Sequence, residues 1–360
     1  MTNPATPKAT KWPQTWYPLR RSEEIKPGQI MSIRALGDDY ILVRSPQGKL
    51  AFMEGHCTHR GASLGDGAEF VGECIQCPFH GLQYGLDGRC THVPGVGRIP
   101  RAAVLKSYPV EESMGMIWMF YGPKPTFPAP SLENCGVIKA VGNQGKLSTA
   151  YAFRNVRRCL MRDSICGSLD YMHGNLVHGL KSRLESLETP TPHELIVTLD
   201  VEYADAGYLK HRKVFRMGNR VKYQGHYWGP AIVYTRSYGK RELLGHIRSC
   251  LPIEENYTQT DMLFIVKLRA GGRIPKVSLA MRKFFGRYQD DEDAFLDRQK
   301  PRAMYMKDFD EGLIAHHRMC LRMGQNAFEG REPFLVEETG QEKNFATNLD
   351  GPKAVEPVGA

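Results

Sequence analysis

Cys57-Thr58-His59-Arg60-Gly61 and Cys77-Pro78-Phe79-His80-Gly81, with seventeen residues between His59 and Cys77, carry most of the chemistry that this chain spells out. Two thiolates and two imidazoles form a donor set that holds a [2Fe–2S] cluster with cysteines on one iron and histidines on the other, at a higher potential than an all-cysteine ferredoxin cluster. The same four donors are also a structural zinc set, and Cys74-x-x-Cys77 has the spacing of a zinc knuckle on its own. The flanking residues favour the cluster. Gly61, Gly65 and Gly67 follow the first pair, and Pro78, Gly81, Gly85 and Gly88 surround the second, so both pairs lie on turn-rich loops. Glycine lets backbone N–H groups approach cluster sulfurs closely, which bulkier residues resist.

Around these loops, from about Trp16 to Gly122, the chain reads as short strands between Gly and Pro punctuation: Tyr40–Val43, Leu50–Met53 and Met116–Tyr121. This is an all-β module. Pro123 to Pro130, with four prolines in eight residues, reads as a linker. Beyond it, Val197, Leu199, Val201 and Tyr203 alternate with Thr198, Asp200 and Glu202, the pattern of a half-buried strand. Ala231–Tyr234, Glu242–His246 and Met262–Val266 read as further strands, and Arg157–His173, Val277–Gln299 and Lys307–Arg322 as helices. The expected fold class is α+β, with the β module at residues 15–125, an antiparallel sheet with helices at 131–330, and a poorly ordered tail at 331–360.

Composition bounds the function. The 360 residues and 41% hydrophobic content suffice for two domains with sizeable cores. No run of eighteen apolar residues exists, and Met1 to Lys11 is polar, which predicts a cytoplasmic protein that does not engage a membrane. Nine cysteines fit a reducing compartment, with Cys90, Cys135, Cys159, Cys166, Cys250 and Cys320 as structural residues. The net charge of +9 is spread along the chain, densest at Arg154, Arg157, Arg158 and Arg162. On a helix these arginines would share a face, either solvated or suited to an acidic protein. Nothing resembles a nucleic-acid-binding motif, so nucleic acid is not an expected partner.

Cys-Thr-His-Arg-Gly and Cys-Pro-Phe-His-Gly, with Tyr84 and Gly88 downstream, closely resemble the Rieske signature. Further on lies Asp170-Tyr-Met-His173-Gly-Asn-Leu-Val-His178. Histidines five apart on a straight helix point roughly 140° away from each other, so joint ligation requires the helix to bulge or break, which Gly174 and Asn175 would tolerate. A lone histidine pair is more often a surface or core pair. Following a Rieske motif, however, Asp-x-x-His-x₄-His resembles the iron-binding segment of the Rieske non-haem iron oxygenases. The chain loosely resembles the aminopyrrolnitrin oxygenase and 3-ketosteroid 9α-hydroxylase subgroups.

The resemblance, which covers about residues 15 to 325, implies a Rieske [2Fe–2S] domain with Cys57, His59, Cys77 and His80 as ligands, and a helix-grip type catalytic domain holding mononuclear Fe(II). His173 and His178 would bind that iron, with a carboxylate completing the set. Phe295 and Leu296 place that carboxylate at Glu292, where the family usually has Asp; Asp290, Asp291 and Asp293 compete with it. Asp170 would bridge to the cluster of a neighbouring subunit in a homotrimer. Gly167 and Cys166 stand where the family often has Asn. The implied activity is that of an oxygenase component that uses O2, and electrons from NAD(P)H through a separate flavin reductase or ferredoxin, to monooxygenate an aromatic or alicyclic small molecule. Dioxygenation, desaturation and a non-catalytic electron-transfer protein are the alternatives.

Overall fold

The computed structural model describes residues 11–134, 147–203, 220–238, 242–268, 295–296, 304–306, 309–324, 334–336 and 342–344. The first module contains β1 (Trp16–Arg21), β2 (Gln29–Ala35), β3 (Asp38–Arg44), β4 (Leu50–Glu54), β5 (Glu69–Val71), β6 (Cys74–Gln76), β7 (Gln83–Tyr84), β8 (Cys90–His92), β9 (Ser107–Tyr108), β10 (Val110–Ser113) and β11 (Met116–Phe120). They form antiparallel sheets of order β2-β3-β4-β9, β5-β6-β7-β8 and β1-β11-β10. The strands expected at 40–43, 50–53 and 116–121 are present as β3, β4 and β11.

Side chains alternate across a strand, and in β3 both faces are buried. Ile41 and Val43 join Met53, Leu64, Ile75, Tyr84 and Leu105 in a core beneath the Cys/His loops. Tyr40 and Leu42 join Phe52 in a second, larger core that continues into the other module through Trp16, Trp118, Tyr227 and Trp228. The β3–β4 wall thus belongs to both cores and ties the loops to the rest of the molecule.

The second module is a seven-stranded antiparallel sheet of β12 (Leu147–Arg157), β13 (Leu180–Glu188), β14 (Glu194–Tyr203), β15 (Arg220–Trp228), β16 (Ile232–Tyr238), β17 (Glu242–Glu254) and β18 (Tyr257–Lys267), in the order β12-β18-β17-β16-β15-β14-β13. β12 and β13 are consecutive in sequence yet lie on opposite edges. Their connection must cross the sheet, and it carries α1 (Met161–Ile165) against β17 and β18, a 3-10 turn (Cys166–Ser168), and α2 (His173–Val177) against β13. Farther on, α3 (Glu311–Arg322) packs on β14.

Several expectations change. The helix expected over Arg157–His173 is only α1 and the 3-10 turn, because residues up to Arg157 pair with β18 instead. Arg154 and Arg157 therefore lie on a strand, and the shared arginine face does not form. Arg154 bonds to Asp261 (Nε–Oδ1 2.8 Å), and Arg162 to Asp163 (Nε–Oδ1 3.0 Å) and the Tyr305 hydroxyl (2.8 Å). In β14, Thr198 and Asp200 are buried along with Val197, Leu199 and Val201, since Gln224 and Arg220 lie over the second face. Pro123–Pro130 is irregular but seated: Phe127 is buried, Trp16 Nε1 donates to the Phe127 carbonyl (3.0 Å) and Trp228 Nε1 to that of Pro128 (3.0 Å). Within the stretch expected to be a tail, Phe334–Val336 (β20) pairs with Met304–Met306 (β19) and with Glu342–Asn344 (β21). The helix expected over Val277–Gln299 lies outside the described residues apart from Phe295 and Leu296, as does Cys135. Among the described residues, no helix is long and apolar enough to cross a membrane.

Candidate metal centres

The two Cys/His loops have the same local construction. Cys57 N donates to Ala62 O (2.9 Å) and Gly61 N to Cys57 O (2.9 Å); Cys77 N donates to Leu82 O (2.8 Å) and Gly81 N to Cys77 O (3.1 Å). Each turn closes on a glycine in the left-handed region, Gly61 at φ 70° and Gly81 at φ 72°, which explains glycine at both positions. The result brings Cys57 and Cys77 together, buried, while His59 and His80 are exposed with ring centroids 4.7 Å apart. The N–H groups of Phe79 and His80 point at the Cys77 sulfur; burial pushes that thiol's pKa up and these donors oppose it.

The donors are arranged as two pairs, sulfurs inside and imidazoles outside, which fits a two-iron cluster with unlike irons. A single zinc instead requires four donors around one point. Cys74, the other half of the zinc-knuckle alternative, lies on β6 with its sulfur 3.4 Å from Thr91 Oγ1.

One contact escaped the sequence reading. The Tyr84 hydroxyl lies 3.2 Å from Cys57 Sγ, 3.2 Å from Thr58 N and 2.9 Å from Thr58 Oγ1. Thr58 N donates to the tyrosyl oxygen, and either the Cys57 sulfur or Thr58 Oγ1 can accept the tyrosyl proton. The only signal was the position of Tyr84 in the motif.

The second set lies in the connection that crosses the sheet. His173 opens α2, and His178 follows its last residue at φ −108°, ψ 3°, with Gly179 turning away at φ 60°. Of the two expected ways to bring the rings together, bulge or break, the helix breaks, after Val177 rather than at Gly174 and Asn175. It is a single turn, and the rings meet with centroids 5.2 Å apart because His178 is already outside it. Asn175 instead ties α2 to β13, accepting from Ser182 N (2.8 Å). His178 is fully buried.

Asp170 stands beside this pair. Its backbone carbonyl meets His173 Nδ1, and its Oδ2 lies 3.7 Å from the same nitrogen. A carbonyl only accepts, so Nδ1 carries the proton and the lone pair sits on Nε2, the nitrogen suited to a metal. Asp170 N in turn donates to Cys166 O (2.9 Å). The Asp170 side chain is 41% exposed, open enough to meet a partner group from outside. Behind it, burial pushes the Asp163 carboxyl up; Arg162 opposes this and Asp170 adds to it. The Arg162–Tyr305 bond spans 143 positions, and nothing local could have announced it. Glu292, with Asp290, Asp291 and Asp293, lies outside the described residues. The histidine pair and the adjacent carboxylate suit an iron that takes its third ligand from elsewhere.

Residues 15–109 match the Rieske [2Fe-2S] domain. Cholesterol 7-desaturase nvd of Xenopus laevis is 36% identical over 126 residues, 34% of this chain and 28% of that protein. Aminopyrrolnitrin oxygenase PrnD of Pseudomonas fluorescens is 31% identical over 179 residues, 48% of this chain and 47% of that protein. The chain thus spans less than half the length of each of these curated relatives. The crystal structure of dicamba monooxygenase bound to dicamba shares the fold with a TM-score of 0.65, over 86% of this chain and 97% of that chain, at 17% identity. The chain therefore carries a Rieske [2Fe–2S] domain at its N-terminal side, joined to a second module, and as a whole shares the fold of dicamba monooxygenase.

Proposed function

We propose that this chain is the oxygenase component of a multicomponent Rieske non-haem iron monooxygenase acting on an aromatic or alicyclic small molecule. The observation that carries this reading is the placement of Asp170, His173 and His178 on the connection between β12 and β13 that crosses the sheet, in a chain that also presents paired Cys/His loops. Cys57 and Cys77 with His59 and His80 would hold the [2Fe–2S] cluster, and His173, His178 and Glu292 the iron. When bound, the cluster supplies single electrons and the iron supplies activation of O2.

In this reading, the residues around the metals set position and charge. Asp170 orients His173 through Nδ1 and presents its open carboxylate to a cluster histidine of a neighbouring copy in a homotrimer. Electrons from NAD(P)H would reach the Cys57/His59/Cys77/His80 cluster through a separate reductase or ferredoxin. We assign residues 15–125 to the cluster domain and 131–330 to the catalytic domain, in a cytoplasmic enzyme. Desaturation on the same centre is the second reading, favoured by the 36% identity to a cholesterol 7-desaturase.

Two measurements test the proposal. The dithionite-reduced protein gives a Rieske-type EPR signal. His173→Ala keeps that signal while losing the mononuclear iron and at least 99% of product formation; continued turnover in this variant would remove His173 from the iron.

A further inference from the structure

Two elements approach the 165–170 turn, which presents Asp170, and both do so at glycines. On α3, a Cβ at Gly312 would lie 2.7 Å from the Leu169 carbonyl oxygen, 3.0 Å from Leu169 Cβ and 3.1 Å from its Cα. Two of these three atoms belong to the main chain, and none can be rotated aside. Alanine is the better helix former, so close approach rather than propensity accounts for glycine here. On β15, a Cβ at Gly225 would lie 2.8 Å from Ser168 Oγ and 3.1 Å from Val197 Cγ1.

Two residues along β15, the fully buried Tyr227 reaches the same turn. Its hydroxyl donates to Ile165 O (3.2 Å) and receives the Ser168 hydroxyl proton (2.6 Å). The turn's own bonds, from Leu169 N (2.8 Å) and Asp170 N (2.9 Å), converge on Cys166 O. Ile165, Ser168 and Leu169 are thus each touched by the sheet or by α3, and Asp170 follows directly.

We infer that Gly312, Gly225 and Tyr227 are positioning residues for Asp170, holding its turn between α3 and β15; the inference rests on the role proposed above for Asp170. An added methyl at Gly312 displaces the Leu169 peptide, because a helix packed along its length and a main-chain carbonyl cannot both stay in place at 2.7 Å. The displacement passes to the next peptide, which bears the Asp170 N–H bonded to Cys166, and so to the carboxylate beside His173.

The test is Gly312→Ala in the full-length, metal-loaded protein, followed by amide hydrogen exchange and by product formed per reductant consumed. Exchange in the 166–171 segment accelerates at least tenfold while that of β18 residues 262–266 is unchanged. Product per reductant falls threefold or more at constant iron content and constant KM for the substrate. Unchanged exchange in 166–171, or faster exchange with unchanged coupling, overturns the inference. Should Gly312→Ala fail to fold, Tyr227→Phe, which removes both hydroxyl contacts with the turn, must show the same two changes. A wild-type protein that makes no product, yet shows the predicted exchange difference, would overturn the oxygenase reading and leave the clamp on the turn standing.

Discussion

The hydroxyl of Tyr84 lies 3.2 Å from the Cys57 sulfur, close enough to act on a cluster held there without supplying a ligand. Burial keeps this tyrosine protonated, so it can donate to that sulfur throughout the working pH range. A donor favours the more negative, reduced cluster. Tyr84→Phe removes about 1 kcal/mol of that preference, equivalent to about 40 mV for one electron, so the midpoint potential falls by that order with the visible spectrum retained. A potential unchanged in protein-film voltammetry would show that the hydroxyl does not act on the cluster. At this scale the four loop donors were legible, because each turn is local and closes on its own glycine. Tyr84 was visible as a letter of the motif, but its target lies 27 positions upstream.

Elements were legible where hydrophobic periodicity decides them and illegible where pairing does. β3, β4, β11 and β18 followed from apolar runs, whereas the stretch ending at Arg157 has helix-compatible residues yet forms β12. Its partner is β18, with Arg154 opposite Asp261 and Arg157 opposite Thr258, and that pairing buries the Arg154–Asp261 bond. Asp261 is fully buried and also receives bonds from Tyr151 (2.9 Å) and Gln259 (2.8 Å). Burial raises its pKa and Arg154 is the largest opposing influence. Arg154→Met therefore leaves a buried carboxylate without its cation and costs about 3 kcal/mol. Urea unfolding measures this, and a loss below about 1 kcal/mol, the scale of an exposed pair, would assign the stabilisation to the two neutral donors.

At the scale of the whole molecule, the apolar core runs from Trp16 and Trp118 through Phe127 to Tyr227 and Trp228. Phe127 sits at the junction, its ring 4.4 Å from His193 and 6.1 Å from Trp228. Phe127→Ala costs about 3–4 kcal/mol, and both modules lose stability together; separate transitions in calorimetry, with only one displaced, would contradict a shared core. Stability also falls in mild acid. Burial lowers the pKa of His316 to about 4 and of His317 to about 3. The unfolded chain binds these protons near pH 6.5 and the folded one does not, so the stabilisation is present above pH 6.5 and is lost as pH falls towards the folded values. Each histidine contributes about 1.4 kcal/mol per pH unit below 6.5. The pair predicts a drop of about 2–3 kcal/mol between pH 6.5 and 5.5, and urea midpoints for wild type and His317→Gln check it, the variant showing the shallower slope.

The sequence by itself determined the Rieske domain, the α+β class and the pair His173 and His178 that the structure brings together, since each rests on short-range spacing and on residue types with few other uses. Only the tertiary structure decided how those pieces work together. β12 and β13 lie on opposite edges of one sheet, so the segment between them must cross its face and carry Asp170, His173 and His178 with it. Contacts such as Gly312 with Leu169 and Arg162 with Tyr305 join positions more than a hundred residues apart. Spacing along the chain cannot encode them, because they arise from the packing of an α-helix and a crossing turn on a sheet that exists only once all seven strands have paired.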